Sequence, residues 1–157
     1  MKAAIAEGLT KKVTMQLSRR AATQADIPFL LALRRETMDA HLAASGMDTT
    51  DDAHLARLMY HFDCAEVLVR DGASIGLLKL LRLTEKWEIV QLQLARELQG
   101  GGTGRALLQE LLADAARAQV AVELSVLKAN PARLLYERLG LKLIGEDEYE
   151  YRMRHEA

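Results

Sequence analysis

The residues with most to offer chemically are a glycine run and the polar side chains around it. Residues 99–109 read QGGGTGRALLQ. Glycine loses more backbone freedom on folding than any other residue, so three in succession at the mouth of a leucine-rich helix imply a close approach to the backbone. The first N–H groups of that helix, from about Gly102 to Arg105, have no carbonyl partner within it and sit at the positive end of its dipole. With no Cβ atoms in the way, they form a cradle for a phosphate or pyrophosphate. A flexible strand-to-helix connection is the other reading of the run. Two familiar phosphate loops fail outright. The NTPase loop needs Lys and then Ser or Thr at the helix start, whereas Gly104 precedes Arg105 and Ala106. The dinucleotide fingerprint needs glycines at its first, third and sixth places, and counting from Gly100 gives Gly100, Gly102 and Arg105. What remains is Q-x-x-G-x-G, carried by Gln99, Gly102 and Gly104.

These residues need elements to hold them. A strand is expected over Met15 to Arg20, and a helix after it, started by Asp26 and Pro28, with Ile27, Leu30, Leu31, Leu33 and Met38 at mostly helical spacing. A second helix begins near Thr50 or Asp51, with Leu55, Leu58 and Met59 on its apolar face. AEVLVRDGASIGLLKLLRL reads as two strands around Asp71-Gly72, a strong hairpin signal. In the next strand, KWEIVQLQLA, Trp87, Ile89, Gln91 and Gln93 alternate with Glu88, Val90, Leu92 and Leu94, which sets the glutamines on the face opposite Glu88. After the glycine run, Leu107, Leu108, Leu111, Leu112 and Ala115 form one stripe of a long helix. VAVELSVL is a strand; NPARLLYERLG is a short helix with Asn130 as cap, Pro131 at its first position and Gly140 as its stop. Two strands, LKLIGE and EYEYRMR, close the chain. Strand, two helices, three strands, helix, strand, helix and two strands make a mixed α/β domain.

In the segments QLQLARELQGGGTGRALL and VLKANPARLLYERLGLKLIGE, and in element order from Arg19 to Arg154, the chain resembles the Gcn5-related N-acetyltransferase (GNAT) family. The resemblance implies an α/β fold with a mixed, mostly antiparallel sheet of about six to seven strands flanked by about four helices. It implies acetyl-CoA as cofactor, its pyrophosphate on Gln99, Gly100, Gly101, Gly102, Thr103, Gly104 and Arg105. Leu92 and Leu94 would lie along the pantetheine arm, Leu94 offering its backbone N–H to the thioester carbonyl. Arg96 stands where the family often has proline. Asn130 is a helix cap that the family also lets touch the CoA arm. Tyr136 matches the tyrosine that protonates the departing sulfur; a packed surface tyrosine is the alternative. Glu88 is the candidate general base, and Glu36, His41, Gln91 and Gln93 are candidates to line the acceptor site, where glutamines can orient an amine but not deprotonate it. The reaction implied is direct attack by the primary amine of a small molecule. Protein N-termini or lysines as acceptors, and a catalytically silent acyl-CoA sensor, are the alternatives. A homodimer is common in the family.

Composition narrows the partners. The 157 residues are half hydrophobic with a formal net charge of -1, enough for one core and no basic excess for nucleic acid. The single cysteine, Cys64, provides neither a disulfide framework nor a thiolate metal cluster. No metal, nucleic acid or membrane partner is expected, and the location expected is the cytoplasm. Residues 1–14 read as a loose N-terminal extension, with Met15 an alternative start, and residues 15–157 as a single acetyltransferase-like domain.

Overall fold

The computed structural model describes residues 17–157. The extension expected over residues 1–14, and the first residues of the strand expected from Met15, lie outside the described residues. That strand, β1, runs Ser18–Ala21 and leads to α1 (Ile27–Ala44), α2 (Asp51–Met59), β2 (Ala65–Arg70), β3 (Ala73–Arg82) and β4 (Lys86–Leu94). Helix α3 (Thr103–Arg117), β5 (Ala121–Leu127), α4 (Ala132–Arg138), β6 (Lys142–Glu146) and β7 (Glu150–His155) follow, in the order that the hydrophobic periods imply. All the strands join one seven-stranded sheet, ordered β1-β2-β3-β4-β5-β7-β6. Among the described residues only β4 and β5 pair in parallel.

At the β2–β3 hairpin, Asp71 and Gly72 both adopt positive φ, 52° and 78°, as a two-residue turn of the type I′ class requires. Gly76 on β3 is needed for a different reason. A Cβ there would lie 2.5 Å from the carbonyl oxygen of Gln93, so no side chain fits between these strands.

Helices cover both faces of the sheet. The expected stripe of α3, Leu107, Leu108, Leu111, Leu112 and Ala115, is buried against Leu78, Leu80, Ile89, Leu94, Leu124 and Met153. On the other face, Leu30 and Leu33 of α1 and Leu58 of α2 pack on Val67 and Leu77, each buried leucine contributing about 2 kcal/mol. Helix α1 is tied to β1 where it starts. The Asp26 carboxylate accepts from the Arg20 guanidinium at 2.7 and 2.9 Å and from the Thr23 N–H at 2.8 Å. The Arg20 hydrogen bond, outweighing burial, holds this carboxyl well below the usual carboxylate range.

Helix α2 differs from the expectation. Leu58 is buried, but Leu55 and Met59 are 39% and 45% exposed, and the second inward residue is His54, 1% exposed. The helix is rotated because His54 has polar partners on α1, which an apolar count cannot register. Its C-terminus is capped from below by Lys79 of β3, which is 0% exposed and donates from Nζ to the carbonyls of Arg57 (3.1 Å), Tyr60 (2.6 Å) and Leu58. Burial, then the Arg34 charge, pulls this ammonium down to about 8.

Candidate active site

The sheet opens in its middle. β4 and β5 pair only from Lys86 to Ile89 and from Ala121 to Leu124; beyond that, 90–94 and 125–127 have no ladder between them. Ala95 donates its N–H back to Ile75 of β3 at 2.8 Å. Successive residues of a strand direct their N–H groups to opposite sides, so Leu92 and Leu94 direct theirs into the opening. Gln99 holds the following loop down, its amide donating to the Leu94 carbonyl at 3.0 Å.

That loop carries the glycines into α3. Gly100 and Gly102 have φ of 80° and 86°, which other residues rarely adopt. Gly104 is already helical; a Cβ there would meet only Leu94 Cδ1, at 3.4 Å. Among the described residues no side chain caps this helix start. The Thr103 hydroxyl instead accepts from Arg70 at 3.1 Å. The N–H groups of Thr103, Gly104 and Arg105 therefore form an open donor set at the positive end of a fifteen-residue helix.

Below it lies a recess of about 530 Å³, lined by Leu92, Gln93, Leu94, Gln99, Gly100, Gly102, Gly104 and Arg105, and opposite them by Asn130, Tyr136 and Arg138. Gly101 and Thr103 do not line it. Asn130 caps α4: its Oδ1 accepts from the Ala132 N–H at 3.0 Å, and Pro131, with φ -68° and ψ -7°, is already helical. Arg138 was not among the expected residues; it stands two residues beyond Tyr136 on a short helix, and its approach to the glycine loop depends on how β5 and α4 cross the sheet.

A second recess, of about 560 Å³, lies between the sheet and α1 and α2. Its floor includes Glu88, Gln91, Gln93 and Ser125, and its roof Arg34, Met38, Leu42 and Arg57. Here the expected alternation of β4 is corrected. Gln91 pairs with Lys79, but Ile89 pairs with Leu80, so Val90 is an inserted residue, a β-bulge. Glu88 then lies opposite Leu81, two residues from Lys79, on the same face as Gln91 and Gln93 rather than the opposite one. The amide oxygens of Gln91 and Gln93 are buried without a hydrogen-bond partner among the described residues, an arrangement that costs free energy unless something fills it.

Met38, Leu92, Gln93, Asn130 and Tyr136 line both recesses, so the two meet at the open part of β4. Tyr136 is half-buried, and desolvation pushes its phenol up to about 12, which keeps it a hydrogen-bond donor at physiological pH. The two α1 candidates separate. His41 lines the recess of the glycine loop, not that of Glu88. Glu36 is exposed and lines neither; only its backbone carbonyl is engaged, by Arg96 at 2.8 Å. Among the described residues, no helix is long and apolar enough to cross a membrane.

A family model described as an acetyltransferase (GNAT) domain matches residues 45–155. No curated protein matches in sequence. Among solved structures the chain is similar to the PaiA N-acetyltransferase of Thermoplasma acidophilum in complex with coenzyme A, at 18% identity and a TM-score of 0.70, over 90% of this chain and 99% of that one. It is similar to an acetyltransferase from Thermus thermophilus at 19% identity, TM-score 0.71, over 90% and 97% of the two chains. A third likeness is to the ribosomal-protein-S18-alanine N-acetyltransferase of Escherichia coli, at 15% identity and TM-score 0.64, over 90% and 94%. At these identities the likeness is one of fold.

Proposed function

The chain belongs to the GNAT acetyltransferase family, with acetyl-CoA as cosubstrate, and from that premise we propose that it acetylates the primary amine of a small molecule by direct attack. The observation that carries this reading is the meeting of two recesses at the opening between β4 and β5, one beneath an uncapped helix start and the other floored by unsatisfied amide oxygens. The donor set of Thr103, Gly104 and Arg105, with the Arg105 and Arg138 side chains, suits a pyrophosphate in charge and in accessibility. A thioester threaded through the opening supplies the activated acetyl group.

Each residue then has a task. The Leu94 N–H polarises the thioester carbonyl, which develops negative charge as the amine adds. Gln91 and Gln93 present oxygens that orient the ammonium or amine. Glu88, on their face of the sheet, takes the proton that the amine must lose, directly or through water. The N–C bond forms, the C–S bond breaks, and the thiolate is protonated from solvent, to which Glu88 returns the proton taken from the amine. Free thiols titrate near 8.5, well below a phenol held at about 12, so Tyr136 assists by hydrogen-bonding the developing thiolate and is not fully deprotonated. No covalent acetyl-enzyme is required. The volume of the acceptor recess, about 560 Å³, supports a small acceptor over a folded protein, and location in the cytoplasm is consistent with an acetyl-CoA supply. The test is CoA release from acetyl-CoA across a library of amines, with mass spectrometry of the products. N-acetylated amine with no acetylated protein supports the reading; CoA binding with no release for any amine would leave only a sensor.

A further inference from the structure

The recess above Glu88 contains two guanidinium groups that no carboxylate of the described residues contacts. Arg34 on α1 is 2% exposed, and its one hydrogen bond among the described residues runs from Nε to Nδ1 of His54, at 3.4 Å. His54 is fixed from its other side, its Nε2 lying 2.6 Å from Oδ1 of Asp39. A neutral ring donating from Nε2 to Asp39 presents the Nδ1 lone pair to Arg34, so one tautomer satisfies both contacts. The chain Asp39, His54, Arg34 thus holds one edge of the guanidinium and leaves its two terminal amino groups for the recess that Arg34 lines.

Arg57, three residues beyond His54, lines the same recess. Among the described residues neither arginine has a carboxylate within ion-pair distance. Burial, then repulsion from Arg57, lowers the Arg34 guanidinium to about 10, leaving it charged at neutral pH. Arg34 is buried and Arg57 half-buried, and the carboxylates that act on them, Asp39 and Glu150, do so from beyond ion-pair distance, an arrangement costly to a folded chain and well prepared for a contacting anion. The floor has the reverse character, with the carboxylates of Glu88 and Glu150 and the unpartnered oxygens of Gln91 and Gln93. A donor roof over an acceptor floor has the polarity of a zwitterion.

We propose that the acetyl acceptor is a small amino acid, whose carboxylate docks on Arg34 and Arg57 while its amine reaches the junction at Gln93 and Tyr136. This rests on the transferase reading above. Met38, which lines both recesses, is four residues from Arg34, about 6 Å along the helix axis, a separation suited to a carboxylate a few bonds from its amine. A guanidinium fork matches the two oxygens of a carboxylate.

The experiment compares the L-amino acids with their α-carboxamides and their decarboxylated amines, by CoA release and, independently, by calorimetric titration into the CoA-loaded protein. At least one acid should exceed its carboxamide in kcat/KM by roughly 30-fold or more, and Arg57→Ala should bring that ratio to within about threefold with acetyl-CoA affinity unchanged. Arg34→Lys, which keeps the charge and loses the fork, should raise KM for the acid more than it lowers kcat. Carboxamides or plain amines that turn over as well as the acids, or acceptance of peptides alone, overturn the anion subsite and leave the transferase standing. The opposite failure is distinguishable: an acid that binds in an Arg57-dependent way, with no CoA released by any amine, upholds the subsite and removes the transferase.

Discussion

Gly102 and Gly104 stand two residues apart across the start of α3, and substituting each by alanine should have opposite consequences. Gly104 lies within α3 with a right-handed backbone, and its new methyl group would meet only Leu94 Cδ1, at 3.4 Å, an ordinary contact. In a helix, alanine is favoured over glycine by about 0.5–1 kcal/mol, so Gly104→Ala should leave thermal stability unchanged or slightly raised. Gly104 lines the recess beneath the helix start, so the same methyl group would take up space where a pyrophosphate must approach. Displacing the anion from one charge-assisted hydrogen bond costs about 2 kcal/mol, roughly a 30-fold rise in Kd for CoA. A Cβ at Gly102 would meet nothing within 4 Å, but the residue has φ of 86°. There alanine costs about 1–2 kcal/mol of backbone strain and should lower Tm by roughly 4 °C. Calorimetric unfolding of the ligand-free variants, beside isothermal titration with CoA, separates the effects. A folded Gly104→Ala protein that binds CoA as tightly as the wild type refutes the cradle.

Further outcomes follow from the same geometry. Tyr136→Phe removes the donor at the junction and should lower kcat by about 10- to 100-fold with little change in acetyl-CoA Kd; an unchanged kcat in stopped-flow and steady-state assays would assign the tyrosine to packing alone. Glu88→Gln should cut kcat/KM for the amine by roughly 100-fold at neutral pH and recover part of it as pH rises and more amine is free; a uniform loss at every pH would point to misfolding or binding instead. Glu123 offers a test of stability alone. Burial raises its carboxyl, but Lys86, Arg154 and Arg152 outweigh it and hold it at about 2. A folded value below the unfolded one means stability present above roughly pH 4.5 and lost as pH falls towards 2. Because the three cations are 28%, 31% and 52% exposed, a discounted loss of about 2 kcal/mol is expected. Acid-dependent urea unfolding should show it in the wild type and not in Glu123→Gln.

Much of this was legible in the sequence because it is local. The Asp71-Gly72 turn, the leucine stripe of α3, the Asn130 cap and the Gly140 stop are each decided within a few residues. The glycine loop is legible for the same reason, since the helix that needs the donors left open begins inside it. The bulge at Val90 is not. No glycine or proline marks it, and it exists because β4 must satisfy β3 on one side while meeting β5 only up to Ile89. That one insertion reverses the face of Glu88 and unites it with Gln91 and Gln93. The rotation of α2 was hidden by a similar cause: apolar periodicity selected Leu55 and Met59, whereas the inward position belongs to His54 through its contacts with Asp39 and Arg34. Those partners lie fifteen and twenty residues away. Arg138 was missed because α4 alone does not reveal what it faces across the opening.

A crystal structure with CoA and an amine acceptor bound is the most direct test of the central claim, that catalysis occurs where the two recesses meet. Pyrophosphate oxygens within about 3.2 Å of the Thr103, Gly104 and Arg105 N–H groups, with the sulfur between Leu94 and the Tyr136 hydroxyl and the amine on the Gln93 side, are the expected result. A pyrophosphate bound away from the start of α3, or a thiol that does not enter the opening between β4 and β5, would contradict it.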